Sequence, residues 1–159
     1  MKKKRSPLIS IIVTTFNRKH IVSKTIDSIL SQNYHNKEII VIDDCSNDGT
    51  EEFLKKKYKN LIFYLKHNVN KGVQNASNTG FSYSKGEFLA FVGDDDIWTD
   101  KNKLNEQIKI FNIDKNNKIG IVTTSVRIIN NNSTKIKTIV KPKNLLVHLL
   151  SGNDSIYGS

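Results

Sequence analysis

The order of apolar runs predicts an α/β domain with a largely parallel sheet, and three observations carry that expectation. Short β-branched or aromatic runs fall at residues 8–13, 38–42, 61–65 and 88–92. Between them lie segments whose apolar residues return at helical spacing or whose composition suits a helix. The connections are short, so the order reads βαβαβαβ, as parallel strands joined by helical crossovers require.

Residues 8–13 form the first buried strand, ended by Thr14-Thr15-Phe16-Asn17-Arg18. Ile21, Val22, Ile26, Ile29 and Leu30 then share one face of a helix over residues 21–32. The second strand, 38–42, runs into Asp43-Asp44. Asp48 followed by Glu51 three residues on reads as a capping box, starting a helix that reaches Lys57. Residues 61–65 are the third strand, Asn68 to Gly72 a polar turn, and 73–83 a helix. The fourth strand, 88–92, is expected to be buried, and Ile97-Trp98 to return to the core behind it. After Trp98 the alternation weakens. A helix over 103–112 with Leu104, Ile108 and Phe111 on one face is followed by strands at 119–124, 126–129 and 136–140. Residues 130–133 read as a turn and 145–150 as a short helix. The chain stops at Gly158-Ser159 without a closing element and reads as cut short.

With 159 residues, 37% hydrophobic and 25% charged, the chain suits a soluble globular protein with one core. It holds no apolar run near the ~20 residues that span a bilayer. The basic start, Met1-Lys-Lys-Lys-Arg5, precedes an apolar stretch too short for a signal peptide, so a cytoplasmic location is expected. A single cysteine, Cys45, excludes an internal disulfide. The net charge of +10 favours anionic partners, although a lysine-rich solvated surface gives the same balance.

The chemistry concentrates at strand ends. In a parallel α/β sheet, ligands bind beyond the carboxyl ends of the strands, near the point where strand order reverses. Three such ends carry polar groups here: Thr14-Thr15, Asp43-Asp44 and Asp94-Asp95-Asp96. Three carboxylates in a row at a buried strand end either sit in a solvated turn or gather around a cation, and oxygen ligands suit a hard divalent one. Their recurrence at several strand ends favours a ligand and metal site. Other motifs fail: there is no Gly-x-Gly-x-x-Gly fingerprint, no phosphate-binding Gly-Lys-Ser/Thr loop, and no zinc spacing among His20, His35, His67 and His148. Asp44 to Asp48 imitates half of a calcium loop, but Lys55 stands where the bidentate Glu belongs. Each histidine is read as a surface or loop residue, and Cys45 as structural.

Four blocks then carry a resemblance: Ile11-Ile-Val-Thr-Thr-Phe-Asn17, Val41-Ile-Asp-Asp-Cys-Ser-Asn-Asp-Gly-Thr50, Asn70-Lys-Gly-Val73 with Asn78-Thr-Gly80, and Phe91-Val-Gly-Asp-Asp-Asp-Ile-Trp98. In order and spacing, over residues 8–112, they resemble the family 2 glycosyltransferases. The resemblance implies a GT-A fold (a Rossmann-like, mostly parallel sheet flanked by helices) over a single domain, 1–159. Its donor-binding core would occupy 8–112 and the start of an acceptor half 113–159. It also implies a nucleotide-diphosphate-sugar donor, a Mn²⁺ or Mg²⁺ ion, and a role in surface-glycan synthesis.

Carried over position by position, Thr14 and Thr15 line the nucleotide pocket and Asp44, with Asp43, meets the base, uracil by family habit. Asp95 is the first candidate metal ligand, joined by Asp96, which also lies towards the sugar; Asp94 lies towards the ribose. Gly93 stands where many relatives have Asp, and Ser77 where many have Arg, which leaves Lys71 as the nearest cation of that block. Sugar transfer needs an electrophile for the departing diphosphate and a general base for the acceptor hydroxyl. In inverting relatives that base comes from the second half of the domain, so it is expected beyond Ser159, with Asp154 a remote candidate. Basic charge suits a lipid-phosphate-linked acceptor and an anionic inner membrane face. Two rivals are a nucleotidyltransferase-like sugar-phosphate enzyme and a basic nucleic-acid-binding module. The first lacks its glycine-rich basic loop after the first strand. Nucleic acid is disfavoured because acidic strand ends repel phosphate and no recognised binding motif occurs.

Overall fold

A computed structural model describes residues 6–114, 116, 118–129 and 135–139. The backbone divides into two compact units, residues 1–108 and 109–159. In the first, β1 (Ile9–Thr15), α1 (Lys19–Leu30), β2 (Lys37–Asp43), α2 (Thr50–Tyr58), a 3₁₀ turn (Lys59–Leu61), β3 (Phe63–Lys66), α3 (Val73–Tyr83) and β4 (Phe88–Gly93) follow in the expected alternation. Helix α4 (Lys103–Ile113) comes next, and β5 (Val126–Ile129) pairs antiparallel with β6 (Lys135–Ile139) in the second unit.

The sheet runs in the order β3-β2-β1-β4 and every pairing in it is parallel. The chain builds outward from β1 through β2 to β3, then crosses back to lay β4 on the other side of β1. The order therefore reverses between β1 and β4, which is where an open α/β sheet leaves a crevice for a ligand. Register brings the strand ends level, with Thr15 opposite Asp43 and Thr14 opposite Gly93.

Central strands of such a sheet are covered on both faces, so their side chains are apolar without alternation. Ile9, Ile11, Ile12, Val13, Ile39, Ile40, Val41 and Ile42 are all buried. Helix α3 covers the face carrying Ile12, Ile40 and Ile42, where Ala76 and Leu65 pack against the last two. Gly80 allows that approach, because a Cβ there would lie 2.4 Å from Ile12 Cγ2. Helices α1 and α2 are tied by the Tyr58 hydroxyl, which donates to Ser23 O (2.8 Å) and Asp27 Oδ1 (2.9 Å).

Several expectations are corrected. Residues 119–124 form no strand; they carry no regular structure. The third strand starts at Phe63, two residues late, because a 3₁₀ turn takes residues 59–61. Helix α2 has no capping box: Gly49, at φ 82°, is the N-cap, and Asp48 instead accepts from Thr50 N (3.1 Å) and Lys19 N (3.3 Å). Strand β4 is buried only at Val92, since it pairs on one side alone among the described residues; Phe91 remains 59% exposed. Ile97 does not return to the core but stays exposed. The expected turn at 130–133, the helix at 145–150 and Asp154 lie outside the described residues. No helix among the described residues is long and apolar enough to cross a membrane.

Gly80→Ala is expected to lower stability by about 1–3 kcal/mol through overpacking against the stiff, buried Ile12. A urea titration should show a lower midpoint with an unchanged slope.

Candidate functional site

The carboxyl ends of β1, β2 and β4 gather Thr15, Asp43, Asp44 and Asp94 along one edge. Asp94, the first residue past β4, is buried. Its Oδ2 accepts from Thr15 Oγ1 (2.9 Å) and its Oδ1 from Arg18 Nη1 (3.0 Å), while its carbonyl accepts from Thr25 Oγ1 on α1 (2.7 Å). A buried carboxylate is tolerated only with such compensation. The same Arg18 Nη1 lies 3.3 Å from Asp95 Oδ2, so one guanidinium spans two carboxylates. Arg18 holds this position because it is the N-cap of α1, its carbonyl accepting from Ile21 and Val22.

Asp43 and Asp44 are turned inward. Asp43 accepts from Ser46 N (2.7 Å) and from the Tyr64 hydroxyl, whose pKa is pushed up by burial and by that carboxylate. Asp44, 4% exposed, accepts from Lys71 N (2.9 Å), Gly72 N (2.7 Å) and His67 Nδ1 (2.8 Å). Burial pushes its pKa up, but the hydrogen bonds from Lys71, His67 and Gly72 outweigh this and hold it below the ordinary value of 3.8. The carboxylate fixes the proton of His67 on Nδ1, and Nε2 sits 3.0 Å from Thr79 Oγ1 on α3. His67 is therefore a buried core partner rather than a surface histidine, because its strand ends beside Asp44.

Thr14 is half-buried opposite Gly93, and the exposed Lys71 contributes its backbone N–H to Asp44. The edge thus brings together Thr15, Asp94, Asp95 and Arg18, and separately Asp44 and Lys71. Sequence reasoning missed Arg18, Thr25 and Tyr64. Arg18 had a signal, as a cation in the segment that ends the first strand; Thr25 and Tyr64 had none, since the residues they reach are 69 and 21 positions away. Outside the ends of β2 and β3 lies an open cavity of 710 Å³ lined in part by Cys45, Ser46, Tyr64, Lys66, His67 and Asn68. Its size falls in the range of small-molecule sites.

Among the described residues, no three His, Cys, Asp or Glu side chains are arranged to hold a metal by themselves. The turn after β4 does form a two-carboxylate cradle. Asp96 N closes it on Gly93 O (3.2 Å), and a Cβ at Gly93 would lie 3.1 Å from Asp95 Oδ1 and 3.2 Å from Asp96 Oδ2. Partial burial raises the pKa of Asp96; the Gly93 N–H opposes this, and the Asp95 and Asp94 charges add to the rise. Carboxylates crowded in this way fit a hard divalent cation, and Mg²⁺-type sites use one or two carboxylates with phosphate oxygens completing the shell.

Comparison with known proteins places these features in a family context. A model described as Glycosyl transferase family 2 matches residues 10–154. An Escherichia coli protein named UDP-Glc:alpha-D-GlcNAc-diphosphoundecaprenol beta-1,3-glucosyltransferase WfgD is 36% identical over 149 residues, covering 94% of this chain. This chain spans 57% of that relative's length. Two solved structures share the fold. A mannosyltransferase from Pyrobaculum calidifontis, in complex with GDP-Man and Mn²⁺, superposes with a TM-score of 0.63 at 24% identity, covering 68% of this chain and 33% of its own. S. aureus TarS 1-349 in complex with UDP-GlcNAc gives 0.62 at 24%, covering 79% and 41%.

Asp44→Asn is expected to lower stability by roughly 2 kcal/mol, because it strips charge from three buried hydrogen bonds. The folded pKa of Asp44 is depressed, so its stabilisation is present above the unfolded value near 3.8 and is lost as pH falls through the folded value. Urea unfolding at neutral and acid pH should show the variant lacking that acid-sensitive component.

Proposed function

The chain belongs to glycosyl transferase family 2 and has the GT-A fold, and from that premise we propose that it forms the donor-binding part of an enzyme transferring a sugar from a UDP-sugar. The observation that carries the proposal is the level alignment of three polar strand ends, β1, β2 and β4, at the point where the sheet order reverses.

In this reading Thr14 and Thr15 line the nucleotide side of the crevice, and Asp94 meets the ribose. Asp44, whose three hydrogen bonds leave one acceptor position of its carboxylate, meets the base beside Asp43 and Lys71. Asp95 and Asp96 would hold Mn²⁺ or Mg²⁺, with Asp96 towards the sugar. The bound ion supplies a Lewis acid to the departing diphosphate. The turn closed by Asp96 N and Gly93 O sets the two carboxylates side by side before donor arrives. A neighbour of the same fold whose structure holds Mn²⁺ supports a divalent ion.

Transfer proceeds with inversion to a glycan or lipid-linked acceptor in surface polysaccharide synthesis. The Escherichia coli relative, named for UDP-Glc and a diphosphoundecaprenol acceptor, supports both the donor base and the acceptor class. No described residue is assigned as the general base. A net charge of +10 supports peripheral contact with an anionic membrane carrying such an acceptor.

Calorimetric titration of UDP should show binding that Mn²⁺ strengthens, and Asp95→Ala should remove at least about tenfold of it, 1.4 kcal/mol. Absence of binding by both UDP and GDP, with or without Mn²⁺, rejects the donor site. In a vesicle sedimentation assay, partition should favour anionic over neutral lipid and fall with salt; equal partition removes the membrane contact.

A further inference from the structure

We propose that Arg18 is a counter-ion gate that couples cation binding to nucleotide binding. Without donor its guanidinium neutralises Asp94 and Asp95; on binding it leaves Asp95 to the cation and transfers to the donor diphosphate. This rests on the donor-site reading above and assigns it a residue and an order of dependence.

The geometry of the bridge is lopsided. Arg18 Nη1 reaches the sheltered Asp94 at 3.0 Å, where Thr15 also donates, and the exposed Asp95 at 3.3 Å. The Asp95 side chain is 64% exposed and that of Asp94 is 10%. Exposed ion pairs contribute little, so the Asp95 contact is the one that yields. Asp94 keeps Thr15 whichever way the arginine points.

Only the side chain has freedom to move. The Arg18 carbonyl is fixed by Ile21 N (3.0 Å) and Val22 N (2.9 Å) at the start of α1. Asn17 before it is pinned at both ends, its N–H donating to Ser46 Oγ (2.8 Å) and its Oδ1 accepting from Asn47 N (2.8 Å). From this anchored backbone a half-exposed guanidinium can turn between partners by rotamer changes alone. Its planar fork matches carboxylate and phosphate equally well.

The charges then set the coupling. A divalent cation on Asp95 beside an unmoved guanidinium brings two positive groups to one carboxylate, so the arginine, held close by Asp94, opposes the cation until a further anion draws it away. A diphosphate provides that anion. Each ligand thereby removes an obstacle to the other, and the coupling is reciprocal by linkage.

The test is a Mn²⁺ titration of the whole chain, followed by electron paramagnetic resonance of the free ion, with and without UDP. Wild type, Arg18→Gln, Arg18→Lys and Lys24→Gln are compared; Lys24 is an exposed α1 residue and serves as the charge control. Arg18→Gln should bind Mn²⁺ alone at least about fivefold more tightly than wild type. The enhancement of Mn²⁺ affinity by UDP should shrink by the same factor, with Arg18→Lys between the two and Lys24→Gln unchanged. Equal Mn²⁺ affinities for wild type and Arg18→Gln, or an equal gain in Lys24→Gln, overturn the gate and leave the donor site standing. Failure of wild type to bind Mn²⁺ even with UDP overturns the metal reading and the gate together.

Discussion

The architecture of this edge depends on the buried carboxylate of Asp94. One residue gathers four parts of the fold: the strand it follows, the end of β1 through Thr15, the loop cation Arg18, and α1 through Thr25 on its carbonyl. A lone carboxylate taken out of water is expensive, and removing its partners would leave that penalty uncompensated. Thr15 and Asp94 thus tie the end of β1 to the residue that follows β4, a contact that does not depend on where Arg18 points.

A second carboxylate plays a matching role one strand away. Asp44 closes the Asn70–Gly72 turn by accepting from two consecutive backbone N–H groups, and it orients His67 towards α3. Backbone amides at such a turn have no ladder partner, and a side-chain acceptor satisfies them. The acidic residues of the site consequently divide by solvent access. Asp43, Asp44 and Asp94 shape loops from inside, while Asp95 and Asp96 stand outside on a turn over Gly93. The inward set fixes the geometry of the edge, while the outward carboxylates are held by one oxygen each, Asp95 Oδ2 by Arg18 and Asp96 Oδ2 by Gly93 N.

Charge elsewhere is arranged around this edge without disturbing it. Lys55 pairs with Glu51 and Lys57 with Asp27, so part of the basic surface is neutralised locally along α2. The rest leaves a strongly positive molecule carrying a compact acidic edge. Such a field draws anionic ligands to the surface at long range, while a diphosphate meets repulsion at the carboxylates unless cations intervene.

The alternation of strands and helices was legible in the sequence because buried parallel strands are written as continuous apolar runs and helices as period-3.6 faces. The four strands follow from the apolar runs, and the helix between Val73 and Tyr83 from its composition. So did the polar groups at the strand ends, since a parallel sheet places all such ends on one edge. Order of strands, by contrast, is a long-range property: only the pairing of β1 with β4 decides that Thr15 and Asp94 meet, 79 residues apart. Whether a carboxylate faces water or a backbone amide likewise depends on loops that no local pattern encodes, which is why Asp44 and His67 proved to be buried partners. Burial of β4 failed as an expectation for the same reason, since an apolar run says that a strand wants cover and not whether a neighbour supplies it. Local periodicity fixed the elements; the cooperative pairing of distant segments fixed which of their polar ends could act together.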